Sequence, residues 1–358
     1  SGGTLNLSTI NALTMGTGGN VTNNGTISGT SGRLTMGVNT LTNNGSFSLS
    51  TGRLTRTTGA VTNNGSISFS GNGQFTSSSN GVFTNGPTGT FSATVAMTIT
   101  LGTGNFVNNN TSASVNFGPS AVALAGTTRS VGGFTATGAI TATNASGTIT
   151  ITGNINGAAF TKSGAGTINF GTGLTHTFTG AFALGTTANS VNGGSSTINV
   201  NVVSATAWNG TGTAFAAGTS TVNLGAAGNQ TISATGVSTF YNLTFSNSGV
   251  KTIVTANTVI NNIFSLEGGA TSSLAPTYGA AATLRYNTAT GRTVGAEWLA
   301  TFAATGGVII ANTGAITTNG NKVFNLNVPL TINSGATLSP AAGNTFSFGG
   351  DLINDGTW

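Results

Sequence analysis

Cysteine is absent from the 358 residues. This removes disulfides, thiolate metal sites and cysteine nucleophiles together. Charge is nearly as scarce: 4% of residues are Asp, Glu, Lys or Arg, against roughly 25% in ordinary soluble domains. The four acids are Glu267, Glu297, Asp351 and Asp355, and none precedes Glu267. Glycoside hydrolysis needs two carboxylates about 5–9.5 Å apart. Here turn formation accounts for Asp355 in NDG and for Glu267 ahead of Gly268-Gly269, and Glu297 belongs to a GAEW unit. The only histidine, His176 in THTF, has no neighbouring acid and reads as a strand-surface residue. No triad or metal set is in view. Repeated Asp for calcium turns is missing, and GTGG at Gly16–Gly19 is not followed by the GK[ST] of a phosphate loop. The chain reads as a non-enzyme with no cofactor and no metal.

Long apolar runs are missing too. None approaches the ~18 residues of a membrane span, and no basic-then-apolar signal segment opens at Ser1. The pI near 10.3 reflects missing acids: nine Lys and Arg give net +5, with Arg53 and Arg56 the densest pair. Nucleic-acid binders concentrate charge on one face, so nucleic acid is not expected as a partner.

Apolar residues make up 37% of the chain, mean hydropathy is +0.19 and Gly contributes 57 residues. A core is therefore available, unlike in disordered chains. VTNNGTI (Val21–Ile27), LTNNGSF (Leu41–Phe47) and VTNNGSI (Val61–Ile67) recur 20 residues apart, as does GRLT from Gly32 and Gly52. Looser echoes begin at Val82, Phe106 and Asp351. Between Asn-Gly turns, short stretches alternate with period two, as in SFSL (Ser46–Leu49), and no 3.6 period is found. The chain is predicted to be all-β.

An exact repeat points to a solenoid with one coil per repeat, stacked at about 4.8 Å. Residues 20 apart should then form lanes. Val21, Leu41 and Val61 make one apolar lane; Ile27, Phe47 and Ile67 a second; Leu34 and Leu54 a third. Asn23, Asn43 and Asn63, with Asn24, Asn44 and Asn64, form amide ladders that hydrogen-bond along the axis. Gly25, Gly45 and Gly65 share a turn position and are expected to supply left-handed backbone. Arg56 falls where Met36 sits one coil earlier, a misfit that predicts a register slip or an exposed position. The expected fold is a right-handed parallel β-helix of about 18 coils, roughly 85 Å long. No linker interrupts it: 1–358 reads as one continuous solenoid, regular over 1–80 and less regular over 81–358. Both ends fall inside repeat phrases, SGGTLNL and DLINDGTW, and read as cuts in a longer polypeptide.

FTKSGAGTINF (Phe160–Phe170) resembles the Lys-x-Gly-x-Gly-Thr repeat of autotransporter passenger domains, which are parallel β-helices. Gly218–Gly249, ATLRYNTATGRTVGAEW (Ala282–Trp298) and Leu330–Trp358 resemble repeats of very large Bacteroidota surface proteins. That resemblance implies type IX secretion, an extracellular location on the bacterial surface, and a role as adhesin or fibre. The reading is a structural or adhesive stalk whose partners are further coils of the same protein or end-to-end copies. The alternative is a carbohydrate- or surface-binding module. Its candidate ligand contacts are Arg33, Arg53 and Arg56, for an anionic glycan, and Trp208 for sugar stacking, although core filling accounts for the aromatic residues more simply. Ice binding is a weaker reading, since Thr148, Thr150 and Thr152 in TITIT do not recur at a constant period.

Overall fold

The structure, a computed structural model, describes residues 3–8, 12–77 and 80–358. Ser1 and Gly2 of the opening phrase lie outside the described residues. The chain is a β-solenoid of parallel strands in about 16 turns of about 21 residues. Among the described residues the only helical segments are three 3₁₀ turns, at Ser112–Ser114, Gly212–Ala214 and Thr255–Asn257. The chain packs as two compact units, Ser1–Gly180 with Ser190–Asn192, and Ala181–Asn189 with Gly193–Trp358.

In the first unit each coil has three short strands on three faces. The first face stacks Val21–Asn23, Leu41–Asn43, Val61–Asn63, Phe83–Asn85 and Phe106–Asn108, all parallel and in register. The second stacks Thr26–Gly29, Ser46–Leu49, Ser66–Phe69 and Thr90–Ala93. The third stacks Arg33–Thr35, Arg53–Arg56, Gln74–Ser77 and Thr98–Leu101. Alternation decides which side chains enter: Phe47 and Leu49 are buried while Ser46 and Ser48 face outward.

The lanes outlast the sequence repeat. Val21, Leu41 and Val61 continue into Phe83 and Phe106, and Ile27, Phe47 and Ile67 into Phe91 and Val115. Leu34 and Leu54 continue into Phe75 and Ile99. Paired residues are 20 apart at Val21 and Leu41 but 24 apart at Ile67 and Phe91. Extra residues enter at corners while strand pairing holds, so the chain makes fewer, longer coils than a strict 20-residue period implies. Where the lanes turn aromatic, rings meet between coils: Phe83 stacks on Phe106 at 5.2 Å, and Phe91 meets Phe117 edge-on at 5.2 Å. Burying each such side chain contributes about 1.5–3 kcal/mol.

The ladder asparagines differ in environment. Asn43 and Asn63 are fully buried and Asn23 nearly so, whereas Asn24, Asn44 and Asn64 form an outer ladder in which Asn44 and Asn64 each donate to the preceding coil. In the inner ladder, the Nδ2 of Asn23 donates to Asn43 Oδ1 (2.7 Å) and to the Ser46 carbonyl (2.9 Å). Asn43 treats Asn63 and Ser66 alike, and Asn63 donates to Asn85 and Thr90. Asn85 passes the ladder to Asn108. In Asn23, Asn43 and Asn63 both amide hydrogens thus find acceptors on the next coil, as a buried polar group requires.

Gly25, Gly45 and Gly65 correct one expectation, because none adopts positive φ. Their role is close approach: a Cβ on Gly45 would strike the Gly25 carbonyl oxygen, and one on Gly65 the Gly45 carbonyl oxygen. Left-handed backbone occurs at another corner, at Gly18 (φ 90°) and Gly37 (φ 55°).

In the second unit the faces merge for two coils. Ser238–Phe245 and Thr258–Glu267 run as long strands, pairing with a register shift between Phe240 and Asn242. Three faces return afterwards, in the stacks Gly307–Ile310 on Leu330–Ile332, Ala315–Thr317 on Thr337–Ser339, and Lys322–Phe324 on Phe346–Phe348.

Candidate functional site

Arg33 and Arg53 are brought together, side by side and exposed on adjacent coils of the third face, with Gln74 next in the lane. Arg56 is not part of that surface. Its strand pairs in register with both neighbours, so there is no slip, and Arg56 is 2% exposed. Alternation from the buried Leu54 turns it inward, and its guanidinium donates to the Gly59 carbonyl at 3.0 Å. Trp208 is also removed from the ligand contacts. It is fully buried in the second unit, stacked on Phe182 at 4.7 Å and edge-on to Phe215 at 4.9 Å, so no ring face is open to a sugar.

Arg56 illustrates a wider pattern that sequence reasoning missed. Five of the nine basic residues are buried: Arg56, Arg129, Lys162, Lys251 and Lys322. Each binds carbonyl oxygens instead of a carboxylate. Arg129 donates to Ala125, Gly104 and Leu101, and Lys162 to Gly164. Lys251 donates to the Ala226 and Gly228 carbonyls and to Gln230 Oε1, all within 2.9 Å. Desolvation lowers Arg56 and Arg129 to about 10 and Lys251 to about 8, leaving all three cationic at neutral pH. These residues tie backbone carbonyls at and beside the corners. The readable signal was a basic residue in the inward phase just before a glycine corner, as in Arg56-Thr-Thr-Gly59 and Lys162-Ser-Gly164.

His176 lies inside the first unit, not on a strand surface, and is fully buried. Its Nδ1 accepts from the Ile155 N–H at 3.1 Å and its Nε2 meets the Phe170 carbonyl at 2.9 Å. This geometry fixes the neutral ring with its proton on Nε2. Burial lowers its pKa to about 4, against a smaller raising effect from the Phe170 carbonyl.

The second unit holds the densest gathering of chemical groups, around Glu297. This fully buried carboxylate accepts from the Tyr286 hydroxyl (3.0 Å) and the Gly295 N–H (2.9 Å) at Oε1, while Tyr278 donates to its backbone carbonyl (2.8 Å). Arg292 lies over the Tyr286 ring and Lys322 over the Trp298 ring. Burial first, then the Glu297 charge, raises both tyrosines well above their usual range. The arrangement is a closed polar core lacking a second carboxylate, with Glu267 instead ion-paired to Arg285 at 3.2 Å. The GRTVGAEW phrase carries most of it.

Among the described residues, no three His, Asp or Glu side chains gather as a metal site, and no helix is long and apolar enough to cross a membrane. Outward threonines do share a column on the third face, Thr35, Thr55, Thr76 and Thr100, but Ala123 breaks it. Compared with family models, curated proteins and solved structures, the chain matches none.

Proposed function

We propose that the chain is a structural and adhesive stalk segment of a secreted bacterial surface fibre or adhesin, without catalysis. The observation that carries this reading is the unbroken coil-to-coil ladder from Asn23 to Asn108, in which each buried amide is spent on the next coil. Such a stack needs few ion pairs and no ligand to hold together. Further support comes from the basic residues, more than half of which serve as internal ties. The likeness to Bacteroidota repeats supports a place at the cell surface reached by type IX export. Its partners in this reading are further coils of the same protein or end-to-end copies. Electron microscopy of cells producing the protein, labelled with antibody to residues 21–110, tests this. Label along extracellular fibres is expected; label confined to the cytoplasm overturns the reading.

A second reading, binding of an anionic glycan, is favoured by one observation: the exposed Arg33 and Arg53 stacked on adjacent coils. Retention on a heparin column, lost in Arg33→Ala/Arg53→Ala, supports it. Equal elution of the two proteins removes it.

A further inference from the structure

We propose that a groove in the second unit is a binding site for a neutral, extended oligosaccharide about three sugars long. The groove has a volume of about 510 Å³ and is lined by residues of four successive coils: Asn189, then Thr213 and Phe215, then Val237 and Thr239, then Asn261. It runs along the solenoid axis, across the strands. A peptide adding as a strand would need an edge parallel to the strands, which this orientation does not offer. Four coils at about 4.8 Å per step span roughly 14 Å. A pyranose in a β-1,4 chain advances by nearly one such step, so length and volume both suit three units.

The lining chemistry selects the ligand. No charged residue lines the groove, which disfavours uronate or sulfated chains. Val237, 41% exposed, and Ala217 give apolar surface for the faces of sugar rings. Phe215 forms the floor, held edge-on by Trp208. The amides of Asn189 and Asn261 and the hydroxyls of Thr213 and Thr239 bond to no other side chain or backbone group within the described residues. Other asparagines of this unit are committed to ladders, Asn223 to Asn199, Asn262 to Asn242 and Asn312 to Asn287. Asn189 is held in left-handed backbone at φ 54°, and its N–H donates to the Thr213 carbonyl. The backbone is thereby pinned while the amide stays free. A carboxamide offers adjacent donor and acceptor atoms, which match a pair of neighbouring hydroxyls.

This inference goes beyond the stalk reading, which stands whether or not the groove is filled. Isothermal titration of the whole chain with cellotriose, chitotriose and β-1,4-mannotriose tests it. At least one is expected to bind at one site per chain. Asn189→Ala and Asn261→Ala should each weaken that binding about tenfold, the loss of one or two good hydrogen bonds, and Val237→Glu should abolish it. All three side chains are at the surface, so unchanged melting temperatures verify folding. Trigalacturonate should not compete. Absence of binding by all three trisaccharides overturns the proposal, as does binding indifferent to Asn189 and Asn261 or lost instead in Arg33→Ala/Arg53→Ala.

Discussion

Replacing Asn63 by alanine removes one rung of the inner ladder, and its cost can be worked out from the partners it strands. Asn63 is fully buried. It donates to Asn85 Oδ1 at 2.8 Å and to the Thr90 carbonyl at 2.9 Å, and its own oxygen accepts from Asn43 at 2.8 Å. Alanine leaves all three partners facing a dry space. Each unsatisfied buried group costs about 1–3 kcal/mol, so a loss of roughly 3–9 kcal/mol is expected. Asn44→Ala is the control, since the outer ladder bonds of 2.9 and 3.0 Å are exposed and water replaces them for less than about 1 kcal/mol. Asn63→Asp keeps the shape but points an acceptor at two acceptors. It should lose at least as much as alanine at neutral pH and recover part when acid protonates the carboxyl. Hydrogen exchange read by mass spectrometry over residues 41–110 reports the local opening free energy. If Asn63→Ala and Asn44→Ala weaken protection equally, the inner ladder is not a stabilising element and the reasoning fails.

Stability should fall as pH drops below about 6.5 because of His176. Its folded pKa of about 4 lies under the ordinary 6.5, so the unfolded chain takes the proton first. About 3 kcal/mol is then lost as pH drops from 6.5 to 4, and acid melting curves should lose that slope in His176→Gln. Gly45→Ala should destabilise the first unit by about 1–3 kcal/mol through its clash with the Gly25 carbonyl, while Gly16→Ala, with open space at its Cβ, should leave the melting curve unmoved. Trp208→Ala should cost about 3–5 kcal/mol in denaturant unfolding, and a neutral result would mean that the ring is not in the core.

The regular part of the fold was legible because identical phrases fix both period and phase. Val21, Leu41 and Val61 could be aligned by eye, and the parallel lanes followed from that alignment. Past residue 80 the physics continues but the spelling does not. Phe83 and Phe106 fill the place of Val61, while corner insertions hide the correspondence from any fixed period. Arg56 was misplaced for a related reason. A charge in an inward phase looked like an error in register because its partner, the Gly59 carbonyl, is a backbone atom with no sequence signature. His176 was hidden likewise, since its partner Ile155 lies 21 residues back, and Glu297 because Tyr286 and Tyr278 reach it from 11 and 19 residues away. The groove along Asn189 and Asn261 draws on four coils of unequal length, so no local motif could announce it.

The stacking itself is open to a direct chemical test, because the chain has no native cysteine. Thr42 and Thr62 are register partners on adjacent coils, and Thr84 follows one coil beyond. Cysteines at 42 and 62 should oxidise to a disulfide, their Cα atoms lying near the strand spacing of about 4.8 Å, whereas cysteines at 42 and 84, about twice as far apart, should stay free. A bridge in the 42/84 protein, or none in the 42/62 protein, would contradict the parallel coil stack.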